Sequence, residues 1–402
     1  MWAILAALLF LQASDLASDG AKALQEGKYE AAVQAFTQAI AADPKDYYSH
    51  FNLALAYTFL HRDAESVAEY RKTLELKPGL YEAELNAGIL LMRGHQPAQA
   101  LPLLDAAAGQ KPKEFRPRYY LAEALLQTNE PAKAETNFRL AVEADPKESA
   151  ARLGLARALA RQGKIAEAAP EFRKAAESDP DHRDALLELA ALYEAGQQPA
   201  EAIAIYREFP GYAPAEERLG ALLLETKQYP DAVLHLEQAY AKDPTDANRV
   251  ALAQAFVLNQ QPGKALPLLE KAAAAAPSNF EIRMAYGRVL RDSRQFPAAA
   301  AQFEAAARLK PGDFKPWSEL GGMLYMMGDF PQSLAAFDRA RELGENTAGN
   351  WFLRAIILDK LKQLKPALEA YQRFLAMSQG NPDQEFQARQ RARIIQKELE
   401  RR

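Results

Sequence analysis

Proline recurs at positions 44, 78, 112, 146 and 180, every 34 residues, and after one shorter interval the series resumes at Pro244, Pro277 and Pro311. No other feature constrains the fold so tightly. A unit this short cannot bury its own apolar face, so copies must stack and share one elongated core. The stretch from Ser149 to Pro180 shows the outline: Leu155, Ala156 and Leu159, a turn at Gly163-Lys164, then Ala168, Phe172 and Ala175 before the closing Pro180. Each unit carries two apolar patterns at helical spacing, separated midway by Gly, Asn or Gln-Pro and closed by Asp-Pro or Lys-Pro. Two short helices per repeat and an all-α solenoid follow.

The remaining prolines refine this reading. Pro97, Pro131, Pro199, Pro230, Pro262, Pro297 and Pro331 fall where second helices should begin, where a missing N–H costs nothing and the fixed φ is already helical. Pro102, Pro170 and Pro267 lie deeper, each removing one hydrogen bond, and predict a local bend. Small residues such as Ala122, Ala134, Ala141 and Ala156 leave room for Leu121, Leu125, Phe138 and Leu155, so the helices interlock. Each buried Leu or Phe contributes about 1.5–3 kcal/mol, but one repeat buries only one side of itself. Stability should therefore grow with repeat number.

Composition excludes several functions. The 49 basic and 53 acidic residues are mixed along the whole chain, with a net charge of −4, so no broad basic face is available for phosphates and nucleic acid is not an expected partner. Zero Cys excludes disulfides, thiolate nucleophiles and Cys-ligated metal. At the N-terminus, Met1 to Ala13 reads MWAILAALLFLQA, with an uncharged apolar run from Trp2 to Leu11. Residues 1–13 are read as a signal peptide that exports the chain to the periplasm or outside the cell; without that role the segment is an apolar start to the first repeat and the chain is cytoplasmic. The run is about half the roughly 20 residues that span a bilayer, so no stable transmembrane helix is expected.

Several positions recur together. Trp317, Leu320, Gly321 and Leu324 are followed by Ser333, Phe337 and Ala340; Gly88, Leu91, Ala100, Leu104, Ala107 and Pro112 match elsewhere, as do Tyr286, Gly287, Leu290, Ala299, Phe303, Ala306 and Pro311. This pattern resembles the tetratricopeptide repeat, a helix-turn-helix of 34 residues. The resemblance implies a right-handed superhelix of about eleven repeats over residues 14–380, from about Leu16 to Gly380, with residues 381–402 as a capping helix. Two departures stand out. Between Phe209 and Leu219 about four residues are missing, roughly one helical turn, which predicts a local irregularity or a shortened first helix. Behind the last repeat, Asp383 to Arg402 reads as a helix carrying Phe386, Ile394, Ile395 and Leu399 among charges; Arg389, Arg391, Arg393, Lys397, Arg401 and Arg402 form either an anion-binding tail or a solvated outer face.

Chemistry has no foothold in the sequence. His50, His61, His95, His182 and His235 show no metal or triad spacing, and His61 and His95, 34 residues apart, fall in equivalent exposed turns. No phosphate loop or nucleophile elbow is present, so neither an enzyme, a cofactor nor a metal is expected.

Binding is the alternative. The resemblance implies that first helices line a concave groove for an extended peptide or partner helix. On that face lie Tyr48, Phe51, Asn52 and Leu55, then Leu85, Asn86 and Ile89, then Arg116, Tyr119, Tyr120 and Glu123. The expected peptide-binding residues are Tyr48, Phe51, Asn52, Asn86, Arg116, Tyr119 and Tyr120: the amides pair with peptide N–H and C=O groups while the aromatics cover side chains. In the other reading Phe51 and Tyr119 pack on neighbouring helices and the asparagines face water. Asn86 and Arg116 fit the clamp with which some family members hold a C-terminal carboxylate, but Phe51, Leu55 and Tyr120 stand where Lys, Asn and Arg would be required. Arg157, Arg161, Glu188, Glu194, Arg288, Arg291 and Asp292 continue the groove with mixed sign. The expected function is a non-catalytic scaffold for a protein or peptide partner in the cell envelope; the alternative is a self-associating component of a multiprotein envelope complex.

Overall fold

The computed structural model describes residues 2–401, with side chains from Ser14 onward. The segment Met1 to Ala13 read as an export signal lies outside the residues whose side chains are described. The chain divides into two compact units, Met1–Ala202 and Ile203–Arg402. In the first are α1 (Trp2–Gln25), α2 (Tyr29–Ala42), α3 (Tyr47–Phe59), α4 (Asp63–Leu76), α5 (Tyr81–Arg93), α6 (Pro97–Gln110), α7 (Phe115–Gln127), α8 (Pro131–Ala144), α9 (Ser149–Arg161), α10 (Ile165–Ser178) and α11 (Ala185–Ala195). The division falls within α12 (Pro199–Tyr206). The second unit continues with α13 (Ala213–Glu225), α14 (Tyr229–Lys242), α15 (Asp246–Leu258), α16 (Pro262–Ala275), α17 (Phe280–Asp292), α18 (Phe296–Leu309), α19 (Lys315–Met327), α20 (Phe330–Glu342), α21 (Ala348–Lys360), α22 (Leu364–Met377) and α23 (Pro382–Glu400). Among the described residues there is no strand; each unit is an α-solenoid of paired helices.

The prolines sit where their chemistry allows. Pro97, Pro131, Pro199 and Pro262 open their helices, and Pro230, Pro297 and Pro331 are second residues. Pro102, Pro170 and Pro267 lie inside α6, α10 and α16, which run on through them. Each deprives one carbonyl, four residues earlier, of its donor.

The turns inside repeats share one geometry. Gly27, His61, His95, Asn129, Gly163, Gln197, Lys227, Gln260, Arg294, Gly328 and Lys362 all have positive φ, between 55° and 82°. The following N–H reaches back to the end of the first helix, as from Arg62 to the Tyr57 carbonyl at 2.9 Å and from Gln295 to the Leu290 carbonyl at 2.8 Å. This closes the helix and reverses the chain. Only three of the eleven are glycine; at the others a side chain is held in the left-handed region at roughly 1–2 kcal/mol.

The shortened repeat differs from expectation. The first helix α13 keeps 13 residues, while the second helix α12 has eight where its neighbour α10 has 14. The loss therefore falls on the second helix. Leading into α13, Gly211 turns at positive φ and donates its N–H to the buried carboxylate of Glu216 at 2.7 Å, whose other oxygen meets His235 Nδ1 at 2.6 Å.

Close approach holds each pair together. A Cβ on Gly88 would stand 2.5 Å from Leu104, and one on Gly287 would stand 2.7 Å from the Phe303 ring. Ala54, Ala122, Ala156, Ala253 and Ala355 occupy the same place in other repeats, fully buried. Opposite them lie Tyr70, Phe138, Phe172, Leu269 and Tyr371, all buried. First helices of neighbouring repeats also touch directly, α1 with α3, α5 with α7 and α7 with α9 in the first unit and α13 with α15 in the second; among the described residues no two second helices come comparably close. The first helices thus lie on the inner side of the first unit and, at α13 and α15, of the second.

A polar brace recurs beside this packing. A residue near the start of the first helix bonds one in the second helix 19 positions on: His50 with Glu69 at 2.6 Å, Arg118 with Asn137 at 2.8 Å, Arg152 with Glu171 at 3.2 Å and Arg283 with Gln302 at 2.7 Å. The same arginines donate to the carbonyls of Pro112, Pro146 and Pro277, fastening the preceding turn. Between repeats, Glu135 of α8 accepts from Lys164 at 2.8 Å and Gln162 at 2.9 Å, and within its own helix from Arg139 at 2.8 Å. Burial pushes its carboxyl up, but these three donors outweigh burial and hold it at about 2.

Thermal melts of two glycine variants check this packing. Gly287→Ala should lower stability by about 1–3 kcal/mol, because the buried Phe303 ring cannot swing clear. Gly322→Ala, within α19 and with nothing inside 4 Å of the new methyl, should raise it by about 0.5–1 kcal/mol. The depressed carboxyl of Glu135 contributes stability that is present above its ordinary value of 4.5 and lost as pH falls through about 2. Glu135→Gln should therefore cost about 1–3 kcal/mol at neutral pH, with the gap to the unmutated chain closing between those two pH values in denaturant unfolding.

Candidate functional site

The inner side of the first unit begins with α3 and α5. Tyr48 is exposed. Phe51 packs edge-on against Tyr70 with ring centroids 5.6 Å apart, so much of its surface is spent on the core. Asn52 is buried and its amide donates to the Tyr48 carbonyl at 2.8 Å, one turn back in its own helix. Asn86 donates to the Tyr70 hydroxyl at 3.2 Å. The two asparagines are equivalent in sequence, yet their amide donors already serve the fold in different ways.

The aromatic stretch on α7 is divided in the same manner. Tyr119 stacks on Phe115 at 5.4 Å and meets Phe138 edge-on at 6.1 Å. Burial, with the negative charge of Glu123 nearby, pushes its phenol up to about 12. Tyr120 is half-buried with its ring edge-on to Tyr119 at 5.2 Å. Arg116 is exposed. Of the seven residues expected to bind peptide, Tyr48 and Arg116 point freely to solvent, Tyr119 and Tyr120 share one aromatic cluster on α7, and Phe51, Asn52 and Asn86 are engaged in packing or internal hydrogen bonds.

A more open site lies where α9 faces α11. Arg157, Ala160, Arg161, Phe172, Glu188, Ala191 and Leu192 line a cleft of about 530 Å³ with an apolar floor. Arg157 grips Glu188 with two parallel hydrogen bonds, from Nε at 2.9 Å and from its terminal nitrogen. Arg161 gives one nitrogen to the Leu126 carbonyl at the end of α7. Half-buried Glu123 has no hydrogen-bonded partner among the described residues; burial raises its carboxyl, and Arg157 and Arg161 pull it partly back. In the second unit, Arg291 bonds Glu319 at 2.7 Å with Arg288 at 3.6 Å from the same carboxylate. The sequence singles out the arginines and Glu188 but not the cleft floor or Glu319. The signal lies in opposite charges about one repeat apart: 31 residues for Arg157 and Glu188, 28 for Arg291 and Glu319.

The histidines take structural places. His61 and His95 are exposed in left-handed turns, while His50 and His235 belong to the braces between helices. Among the described residues no group of His, Asp and Glu is arranged to hold a metal ion. No helix among them is long and apolar enough to cross a membrane.

Stacked helix pairs whose first helices offer an open face of mixed polarity define an α-solenoid interaction scaffold. The sequence profile described as tetratricopeptide repeat matches residues 85–149, 153–217, 250–314 and 324–382, more than half of the chain, and a second profile, TPR repeat, matches residues 20–58. The chain belongs to the tetratricopeptide-repeat family, whose members bind protein partners and are generally non-catalytic. No curated protein matches it. Among solved structures it is similar to MamA from Desulfovibrio magneticus RS-1, with 24% identity over 42% of this chain and 96% of that one and a TM-score of 0.39. It is also similar to a structure of Naa15/Naa10 bound to HypK-THB, with 16% identity over 94% of this chain and 65% of that one and a TM-score of 0.46.

The raised carboxyl of Glu123 has a sign that can be checked. Its ionised form is the less favourable one in the folded chain, so its contribution is favourable in acid and lost as pH rises through its folded value. Glu123→Gln should melt higher than the unmutated chain at neutral pH, and the difference should vanish in acid below the ordinary carboxyl value of 4.5.

Proposed function

We propose that this chain is a non-catalytic scaffold that holds a segment of a partner protein against the inner side of its first unit, and that it does so in the cell envelope. The observation that supports the binding face is the cleft between α9 and α11: an apolar floor rimmed by Arg157, Arg161 and Glu188, with unbonded Glu123 on the adjoining helix. A Leu- or Met-sized side chain entering it would gain about 1.5–3 kcal/mol. The exposed Arg157–Glu188 pair is worth about 0–1 kcal/mol, so it can re-form with a ligand at little cost. Tyr48, Arg116, Tyr119 and Tyr120 extend the face toward the N-terminus. Because the floor is packed and braced in advance, the ligand alone loses conformational freedom. The envelope location is supported by the uncharged run from Trp2 to Leu11.

Site-specific photocrosslinking tests the face. A crosslinker at Ala191, on the cleft, should capture another protein in the native cell, and Arg161→Glu should reduce that capture severalfold. The same group at Asp105, exposed on a second helix, should capture nothing. Adducts at Asp105 alone would sink the inner-face reading, and adducts only with further copies of this chain would replace it by self-association. For the location, a reporter active only after export, fused behind residue 20 of the chain, should be active, and its silence would remove the envelope from the proposal.

A further inference from the structure

Helix α23 has two apolar sides, and the stack uses only one. Ala388, Ala392 and Ile395 are buried against Phe352, Tyr371 and Phe374, with Leu399 half-buried beside them. An ion pair from Arg391 to Asp359 fixes the docking. On the opposite side Phe386 is 64% exposed and Ile394 46% exposed, although both have the look of packing residues in the sequence. At about 100° per residue, Phe386, Arg393, Ile394, Lys397 and Arg401 fall within one stripe roughly 100° wide. Arg389 lies off the stripe and is paired with Glu385 at 2.9 Å. The three cations of the stripe are exposed and have no bonded partner among the described residues. Asp383 shares the stripe at its N-terminal end, about 15 Å from the nearest of these cations along the helix axis, while Glu398 and Glu400 lie to its sides.

We propose that this stripe docks the protein on the surface of an anionic lipid bilayer, with Phe386 and Ile394 entering the headgroup boundary and Arg393, Lys397 and Arg401 meeting lipid phosphates. The chemistry selects this occupant over the others. Two copies paired in parallel through the stripe would bring these cations against one another, and in the antiparallel pairing centred on Gln390 the acidic Asp383 would face only Lys397, leaving Arg393 and Arg401 without an acidic partner. Nucleic acid would use the cations and stack a base on Phe386, but it has no use for the aliphatic tip of Ile394, and the chain as a whole is acidic. A folded acidic partner would have to supply pockets for Phe386 and Ile394, whereas a bilayer interface accepts apolar tips projecting from a convex helix and supplies the phosphates beside them. The attachment is to the surface, since no helix among the described residues is long and apolar enough to cross.

The absence of cysteine makes a direct test simple. Gln390→Cys in the full chain places a single environment-sensitive fluorophore in the middle of the stripe, apart from any contribution of Met1 to Ala13. Vesicles of phosphatidylglycerol and phosphatidylcholine in equal parts should shift its emission to the blue, vesicles of phosphatidylcholine alone should not, and added salt should reverse the shift. Arg393→Glu combined with Lys397→Glu should weaken the vesicle affinity by at least about tenfold. Phe386→Ser should weaken it severalfold while the melting temperature stays the same, because neither set of side chains packs on the stack. An unshifted label on anionic vesicles overturns the proposal, as does an equal shift in the charge-reversed variant. A shift with duplex DNA or polyglutamate but not with vesicles overturns it in favour of that other occupant.

Discussion

Each first helix meets its own second helix across a residue with little or no side chain, and the geometry of both units depends on how near that lets the two come. Where the place is held by Gly88 or Gly287, the opposing Leu104 or Phe303 already fills the volume a methyl would need. Where it is held by Ala54 or Ala156, the methyl is part of the interface between the helices. The large partner always comes from the second helix, 16 residues on. Dispersion attraction between any two atoms at that distance is small, but it is repeated in every pair and vanishes collectively if the helices move apart.

That approach leaves the rest of each first helix free for its neighbours and for solvent. Where first helices of adjacent repeats touch one another, as α5 with α7 and α7 with α9, they make a shared inner side. The braces from Arg118, Arg152 and Arg283 act beside this packing, tying a helix start both to its partner helix and to the proline turn that precedes it. Groups on the inner side are thus carried by elements that cannot easily shift, while charged side chains such as Arg157 and Arg161 sit at the ends of long, jointed stems.

The helix pairs are legible from the sequence because proline and alanine placement is decided locally: a helix start tolerates the missing N–H of proline, and a close contact between helices admits little beyond alanine or glycine. The turns are legible as turns but not as left-handed ones, since His61, Lys227 and Arg294 give no local sign of positive φ. Spacing along the sequence shows that one helical turn is missing near residue 210 but not which helix gives it up. The buried contacts of Leu219, Leu222 and Leu223 decide that α13 is kept whole and that α12 is shortened instead. The braces leave no common signature because the first-helix member is His50 in one repeat and Arg118, Arg152 or Arg283 in others, while its partner changes among Glu69, Asn137, Glu171 and Gln302. The face proposed for binding is only partly readable for a related reason: Asn52 and Asn86 match in register, but an i−4 carbonyl claims one and the Tyr70 hydroxyl the other. In α23, four apolar residues stand among charges in the sequence without being divided by face, and the structure puts Phe386 and Ile394 on the far side of the helix from Ile395 and Leu399.

The left-handed turns bear on how such a chain can change over generations. In eight of eleven repeats the turn is closed by a residue whose side chain strains the backbone, and each of these residues is exposed and is neither a lining residue of the α9–α11 cleft nor part of α23. Mutation to glycine at any of them would relax the backbone without altering the residues proposed for binding at the cleft or on α23. Thermal robustness and partner choice are therefore separately adjustable in this architecture: selection can trade one repeat's ligand contacts for others while recovering the lost stability from a turn elsewhere in the chain.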